Sequence, residues 1–219
     1  MLFKRFFTRK KFDEYIELEI NDVNTLDKSI DSLRFCTALT LKGTIDWDGI
    51  RLIRQLRELT FLNLSGIKKV RKLATNTLPH DTLTLMKNLK EVTIPAQVPV
   101  DSLCITECIS LERVIIPKEV KEFSPGMVYN CDNFTEFIVD DDSEYFSTIN
   151  GVLVSKDKKQ LISVPCGITD IYEVPDSITR ITKGAFFGCS LLTEVVCDVE
   201  KIAIDEMAFR FVNVKIVKP

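Results

Sequence analysis

Six-residue stretches with apolar side chains at positions one, four and six recur along the chain. Leu89-Lys-Glu-Val-Thr-Ile94 shows the pattern. It returns at Cys36–Leu41, Leu56–Phe61, Leu111–Ile116, Phe134–Val139, Leu192–Cys197 and Phe211–Ile216, with a weaker copy at Leu161. Alternation over positions four to six predicts a short strand with one face inward. Successive starts lie 20, 33, 22, 23, 27, 31 and 19 residues apart. Periods of about 20–30 residues mark a solenoid: one coil cannot bury its apolar face alone, and stacked coils can. The spacings of 33 and 31 predict coils with insertions, and the 19 predicts a shortened last turn.

The intervening residues extend the prediction. Pro95, Pro117 and Pro175 follow strand-like runs. Proline has no N–H to donate, so each ends its ladder. The pairs Val120/Phe123, Ile178/Ile181 and Val199/Ile202 then predict the next side of each coil, with apolar residues inward. Val98/Asp101 breaks this rule and predicts an irregular coil. A helix is expected from Asp48 to Leu56, where Ile50, Ile53 and Leu56 follow a capping Asp46 or Asp48. Asn150-Gly151 predicts a hairpin into "VLVSKDKKQLISV", with a second turn over Lys156–Lys159.

A further apolar slot lies three residues ahead of each hexad. It holds Leu33, Ile53, Met86, Cys108, Cys131 and Cys189. Cys36 and Cys197 occupy hexad positions, and Cys104 aligns with Ala185. Six of the seven cysteines therefore sit where other coils place apolar or small residues. They are expected to act as small buried hydrophobes rather than as metal ligands or nucleophiles. Cys108 and Cys131 lie one coil apart, within disulfide range; the reduced state is the expectation.

Composition narrows the class. The 219 residues, 45% of them hydrophobic, suffice for one sizeable core. The net charge of −3 lacks the basic surplus of a nucleic-acid binder. No run of about 18 apolar residues predicts a membrane-spanning helix. The N-terminal "MLFKRFFTRKKFDEY" is basic and aromatic, without the apolar stretch and cleavage site of a secretory signal. Lys4 to Lys11 reads as a frayed, solvated tail in preference to a membrane-surface anchor. On that reading the chain is intracellular, or a targeting segment has been left out.

Three segments carry a family resemblance. "VPDSITRITKGAFFGCSLLTEVV" resembles the BspA-type leucine-rich repeat, with P-x-x-[IV]-x-x-I followed by A-F-x-x-C-x-x-L-x-x-V. "DDSEYFSTINGVLVSKDKKQLISVP" resembles that family's inserted coil, and "LKGTIDWDGIRLIRQLRELTFLNLSG" its lead-in segment. The resemblance covers residue 33 to the end. It implies a right-handed leucine-rich repeat solenoid, a β/α superhelix that is mostly parallel sheet with few short helices. It also implies a bacterial surface or secreted protein, and brings no catalytic residues. The expected organisation is an N-terminal segment and cap over residues 1–32, then about eight coils over 33–219, stacked into one sheet roughly 35–40 Å long.

Candidate chemistry is sparse. The one histidine, His80, follows Pro79 in an insertion and reads as an exposed loop residue. Asp140-Asp-Asp-Ser-Glu144 lacks the spacing of a calcium loop and reads as a solvated acidic turn. No glycine-rich phosphate loop is present. No catalytic, cofactor or metal residue is assigned. The informative surface is the outward face of the stacked strands. Position three presents Ala38, Glu58, Glu91, Arg113, Glu136, Glu194 and Asn213; position five presents Thr40, Thr60, Thr93, Ile115, Ile138, Val196 and Lys215. Arg113 is placed to offset both Glu91 and Glu136. Ile115, Ile138 and Val196 form an aliphatic strip that reads either as a docking site or as β-branched residues suited to strands. The candidate partner-binding residues are Glu58, Thr60, Glu91, Thr93, Arg113, Ile115, Glu136, Ile138, Glu194 and Val196. The expected function is noncatalytic recognition or adhesion. A protein, host or matrix material included, ranks ahead of a glycan, and nucleic acid is not expected. An intracellular scaffold using the same surface is the alternative.

Overall fold

The computed structural model describes residues 15–20, 26, 29, 31, 33–71, 76–101, 104–124 and 126–219. The basic segment before Tyr15 lies outside them. β1 (Tyr15–Ile20) pairs in parallel with β2 (Ala38–Asp46). α1 (Trp47–Ile53) follows at once. Asp46 caps it, accepting from the Gly49 N–H at 3.0 Å, which satisfies a donor that a helix start leaves free. Leu56, expected inside this helix, lies in the turn beyond it.

β3 (Phe61–Arg71) is the longest strand. The chain then alternates short strands: β4 (Leu83–Thr84), β5 (Glu91–Thr93), β6 (Ile105–Thr106), β7 (Arg113–Ile116), β8 (Val128–Tyr129) and β9 (Glu136–Val139). An antiparallel meander interrupts: β10 (Phe146–Ile149), β11 (Val152–Ser155) and β12 (Gln160–Ser163). Coiling resumes through β13 (Asp170–Glu173), β14 (Arg180–Ile181), β15 (Leu192–Val196), β16 (Ala203–Ile204) and β17 (Lys215–Val217).

Pairing skips along the sequence, as a solenoid requires. One six-stranded sheet runs β1-β2-β3-β5-β7-β9, and β4-β6-β8 form another side of the same coils. Further on, β13-β15-β17 and β10-β11-β12-β14-β16 form two more sheets. Leu39, Leu62, Val92, Val114 and Phe137 stack in register as one interior column, each at most 2% exposed. A recurring turn sets each rung. The N–H groups of Cys36, Leu59, Leu89, Leu111, Phe134 and Leu192 donate to the carbonyls of Leu33, Leu56, Met86, Cys108, Cys131 and Cys189. The amides of Asn88 and Asn133 tie their turns to the preceding coil, donating to Arg57 O and Ile109 O at 2.7 and 2.6 Å.

The register corrects the expected frame at three places. Phe61 pairs with Glu91 and Leu62 with Val92, so the second hexad is Leu59–Leu64 and its slot residue is Leu56, not Ile53. Leu56, Leu59 and Leu62 recur at three-residue steps and fit either frame; the turn after α1 selects one. At the C-terminus Val195 pairs with Ile216, two residues later than the pattern placed it. The copy at Leu161 is no ladder strand: β12 joins the meander, and β13 supplies the rung, with Tyr172 against Val195. Val199, expected inward, is 54% exposed, whereas Val120, Ile178 and Ile181 are buried.

The ladder is therefore interrupted. Five spacings of about 4.8 Å give the six-stranded sheet a width of about 24 Å. It ends at β9, where the Phe137 N–H donates to Gly151 O at 2.8 Å. The hairpin turn thus occupies the place of a next strand and covers an edge that would otherwise be free. Gly151 has φ +80°, and a Cβ there would lie 2.8 Å from Glu136 Cβ, so the close approach requires glycine. Two apolar clusters result. The larger runs from Leu18 to Cys166 and the smaller from Val152 to Ala208.

Candidate binding surface

The outward face of the six-stranded sheet carries two side-chain rows, fixed by the parallel register. One reads Tyr15, Ala38, Phe61, Glu91, Arg113, Glu136, and the other Glu17, Thr40, Asn63, Thr93, Ile115, Ile138. Side chains alternate along a strand, so burying Val92, Val114 and Phe137 forces their neighbours out. Glu91, Thr93, Arg113, Ile115, Glu136 and Ile138 stand together, as their spacing predicts. Glu58 and Thr60 do not join them; they fall in the turn before β3, and Phe61 and Asn63 take their rungs. Glu194 and Val196 lie on the separate β13-β15-β17 sheet, beside Ile171 and Glu173 and opposite Lys215 and Val217.

The face is mixed in character. Phe61 and Ile138 are each 39% exposed, Ile115 is half-buried, and polar residues lie between them. Arg113 Nε meets Glu91 Oε2 at 2.9 Å; among the described residues it makes no ion pair with Glu136. The first two strands satisfy their own polar groups. Tyr15 Oη donates to Thr40 Oγ1 at 3.1 Å, and Lys42 Nζ lies 2.7 Å from Glu17, which raises the lysine pKa. Tyr15 and Phe61 were missed by the pattern. The alternation Leu62/Leu64 after Phe61 is the signal that could have placed it.

The cysteines are free and buried, all seven of them. Cys166, which fitted no slot, lies 3.2 Å from Cys131 O. Burial pushes the Cys104 thiol up to about 12 and Cys166 up to about 11. A hydrogen bond with Cys131 holds Cys108 below its ordinary value, but its side chain has no exposure through which to meet a substrate. His80 is exposed in a turn. In the acidic turn, the Asp142 N–H donates to Asp140 Oδ1 at 3.0 Å, and Asp142 pairs with Lys118 at 3.2 Å. Among the described residues no group of three or more His, Cys, Asp or Glu could hold a metal, and no helix is long and apolar enough to cross a membrane.

A family model described as the BspA type leucine rich repeat region matches residues 60–172 and 164–218, more than half of the chain. The chain belongs to the BspA-type leucine-rich repeat family. Its BspA-type coils are also similar to solved structures at low identity. A leucine-rich repeat protein from Eubacterium ventriosum is 16% identical, over 92% of this chain and 66% of that one, with a TM-score of 0.45. A leucine rich cell surface protein from Faecalibacterium prausnitzii is 17% identical, over 93% and 64%, with a TM-score of 0.46. The pneumococcal vaccine antigen PcpA is 17% identical, over 78% and 46%, with a TM-score of 0.43. The chain thus spans less than two thirds of the length of these three relatives. No curated protein matches it.

Proposed function

We propose that this BspA-type solenoid is a noncatalytic binding module that recognises a protein partner through the outward face of its six-stranded sheet, in a bacterial surface or secreted setting. One observation carries the reading: Ile115 and Ile138 stand in register on a rigid sheet, partly exposed and flanked by Arg113 and Glu136. Apolar side chains supply contact energy on burial, and the charges beside them select orientation. A preformed sheet loses little conformational freedom on binding. The family resemblance supports the setting.

The test is Ile115→Ser with Ile138→Ser, measured against a partner recovered from host-cell or matrix extracts. Burying part of two isoleucines contributes about 2 kcal/mol, so affinity should fall about 30-fold while the thermal midpoint holds. Unchanged affinity overturns the reading. Gross unfolding would show that both side chains belong to the core.

A further inference from the structure

A second recognition surface lies away from the ladder face. The loops that follow β5 and β7 enclose a groove of about 520 Å³, lined by Ile94, Pro99, Val100, Phe123 and Met127 among others. This volume is in the range of ligand pockets, about 300–1,000 Å³. The groove is held open from both sides. Ser124 Oγ donates to Val100 O at 2.6 Å and ties the two loops together, while the Phe123 ring packs edge-on against Phe137 at 5.4 Å.

Its rim is acidic. Glu119 and Glu122 line the opening, both exposed, and neither makes an ion pair among the described residues. Two lysines stand beside them: Lys118 pairs with Asp142 and also feels the Glu119 charge, and Lys121, which is part of the lining, holds its Nζ 5.9 Å over the Tyr145 ring. The wider field has the same sign. Residues 91–150 hold twelve acidic and three basic side chains, whereas residues 34–90 hold four and eleven. A cationic ligand is attracted to this half of the solenoid and repelled by the other.

We infer that this groove binds an extended protein segment that places a large apolar side chain between lysines or arginines. The apolar lining takes the side chain, and the two glutamates meet the flanking cations. The site is distinct from the ladder face and adds a second contact to the proposed binding module.

The probe is a fluorescein-labelled dodecapeptide alternating lysine with leucine or phenylalanine, titrated with the full chain by anisotropy. Glu119→Lys with Glu122→Lys should weaken binding at least tenfold. Glu107→Lys with Asp132→Lys makes the same charge change on exposed turns elsewhere and should weaken binding less than about threefold, through the shared field alone, and Ile115→Ser with Ile138→Ser should bind like the parent chain. A peptide with serine in place of its apolar residues, or glutamate in place of lysine, should not bind. Absence of binding by the parent chain, equal losses in both charge-reversed variants, or full binding of the serine peptide would each overturn the groove. Loss on Ile115→Ser with Ile138→Ser alone would move the peptide to the ladder face.

Discussion

The coils before the hairpin and those after it follow one recipe with different results. Before it, six ladder strands stack without a break, and most rungs have a neighbour on both sides. After it, only three strands stack, and the outer coil leaves Met207, Phe211 and Ile216 at 45%, 66% and 41% exposure. Stability in a stack is a sum of nearest-neighbour terms, so an interior rung gains twice what a terminal one does. The same leucine therefore contributes differently according to where its coil stands.

The most disruptive change should be Leu111→Ala. Leu111 has no exposure and sits between Leu89 and Phe134 in the hexad column, so about 4 kcal/mol should be lost in urea unfolding. The equivalent Leu192→Ala should cost less, about 2–3 kcal/mol, because looser neighbours can collapse into the space. Equal costs would show that the two regions are packed alike. Gly151→Val would sharpen the boundary between them. Strain at φ +80° and the clash with Glu136 should remove about 2 kcal/mol and speed hydrogen exchange at the Phe137 N–H.

The pH response should come chiefly from the buried thiols of the first region. Cys104 is raised by burial from 9.0 to about 12. Its contribution is fully present below pH 9, where the unfolded thiol is also protonated, and is lost as pH rises through 12. On the order of 1 kcal/mol should be gone by pH 10, and Cys104→Ala should flatten that slope in denaturant titrations. The smallest effect is expected from Arg113→Ala. Its ion pair with Glu91 is partly exposed, so less than about 1 kcal/mol should be lost, and that loss should shrink with added salt.

Much of this was legible in the chain. The hexads at Leu89, Leu111 and Phe134 placed their strands correctly, because each has a single apolar frame ended by a turn or proline. The slot ladder likewise foretold burial at Cys108, Cys131 and Cys189. The pattern failed where apolar residues were too evenly spaced. Leu56, Leu59 and Leu62 satisfy two frames, and so Glu58 and Thr60 were assigned the rungs held by Phe61 and Asn63. The acid-rimmed groove had no sequence signal, since its two loops are brought side by side only by stacking.

Local pattern alone determined that the chain coils, which residues line the column at the Leu89, Leu111 and Phe134 hexads, and that six of the seven cysteines serve as packing. These follow from apolar spacing, which a strand and a turn read over six or seven residues. Tertiary structure decided where the ladder stops and which loops meet. Those outcomes depend on contacts between residues 14 and 24 positions apart: the Gly151 carbonyl filling the place beside Phe137, and Ser124 reaching Val100. No periodicity within a single coil encodes them.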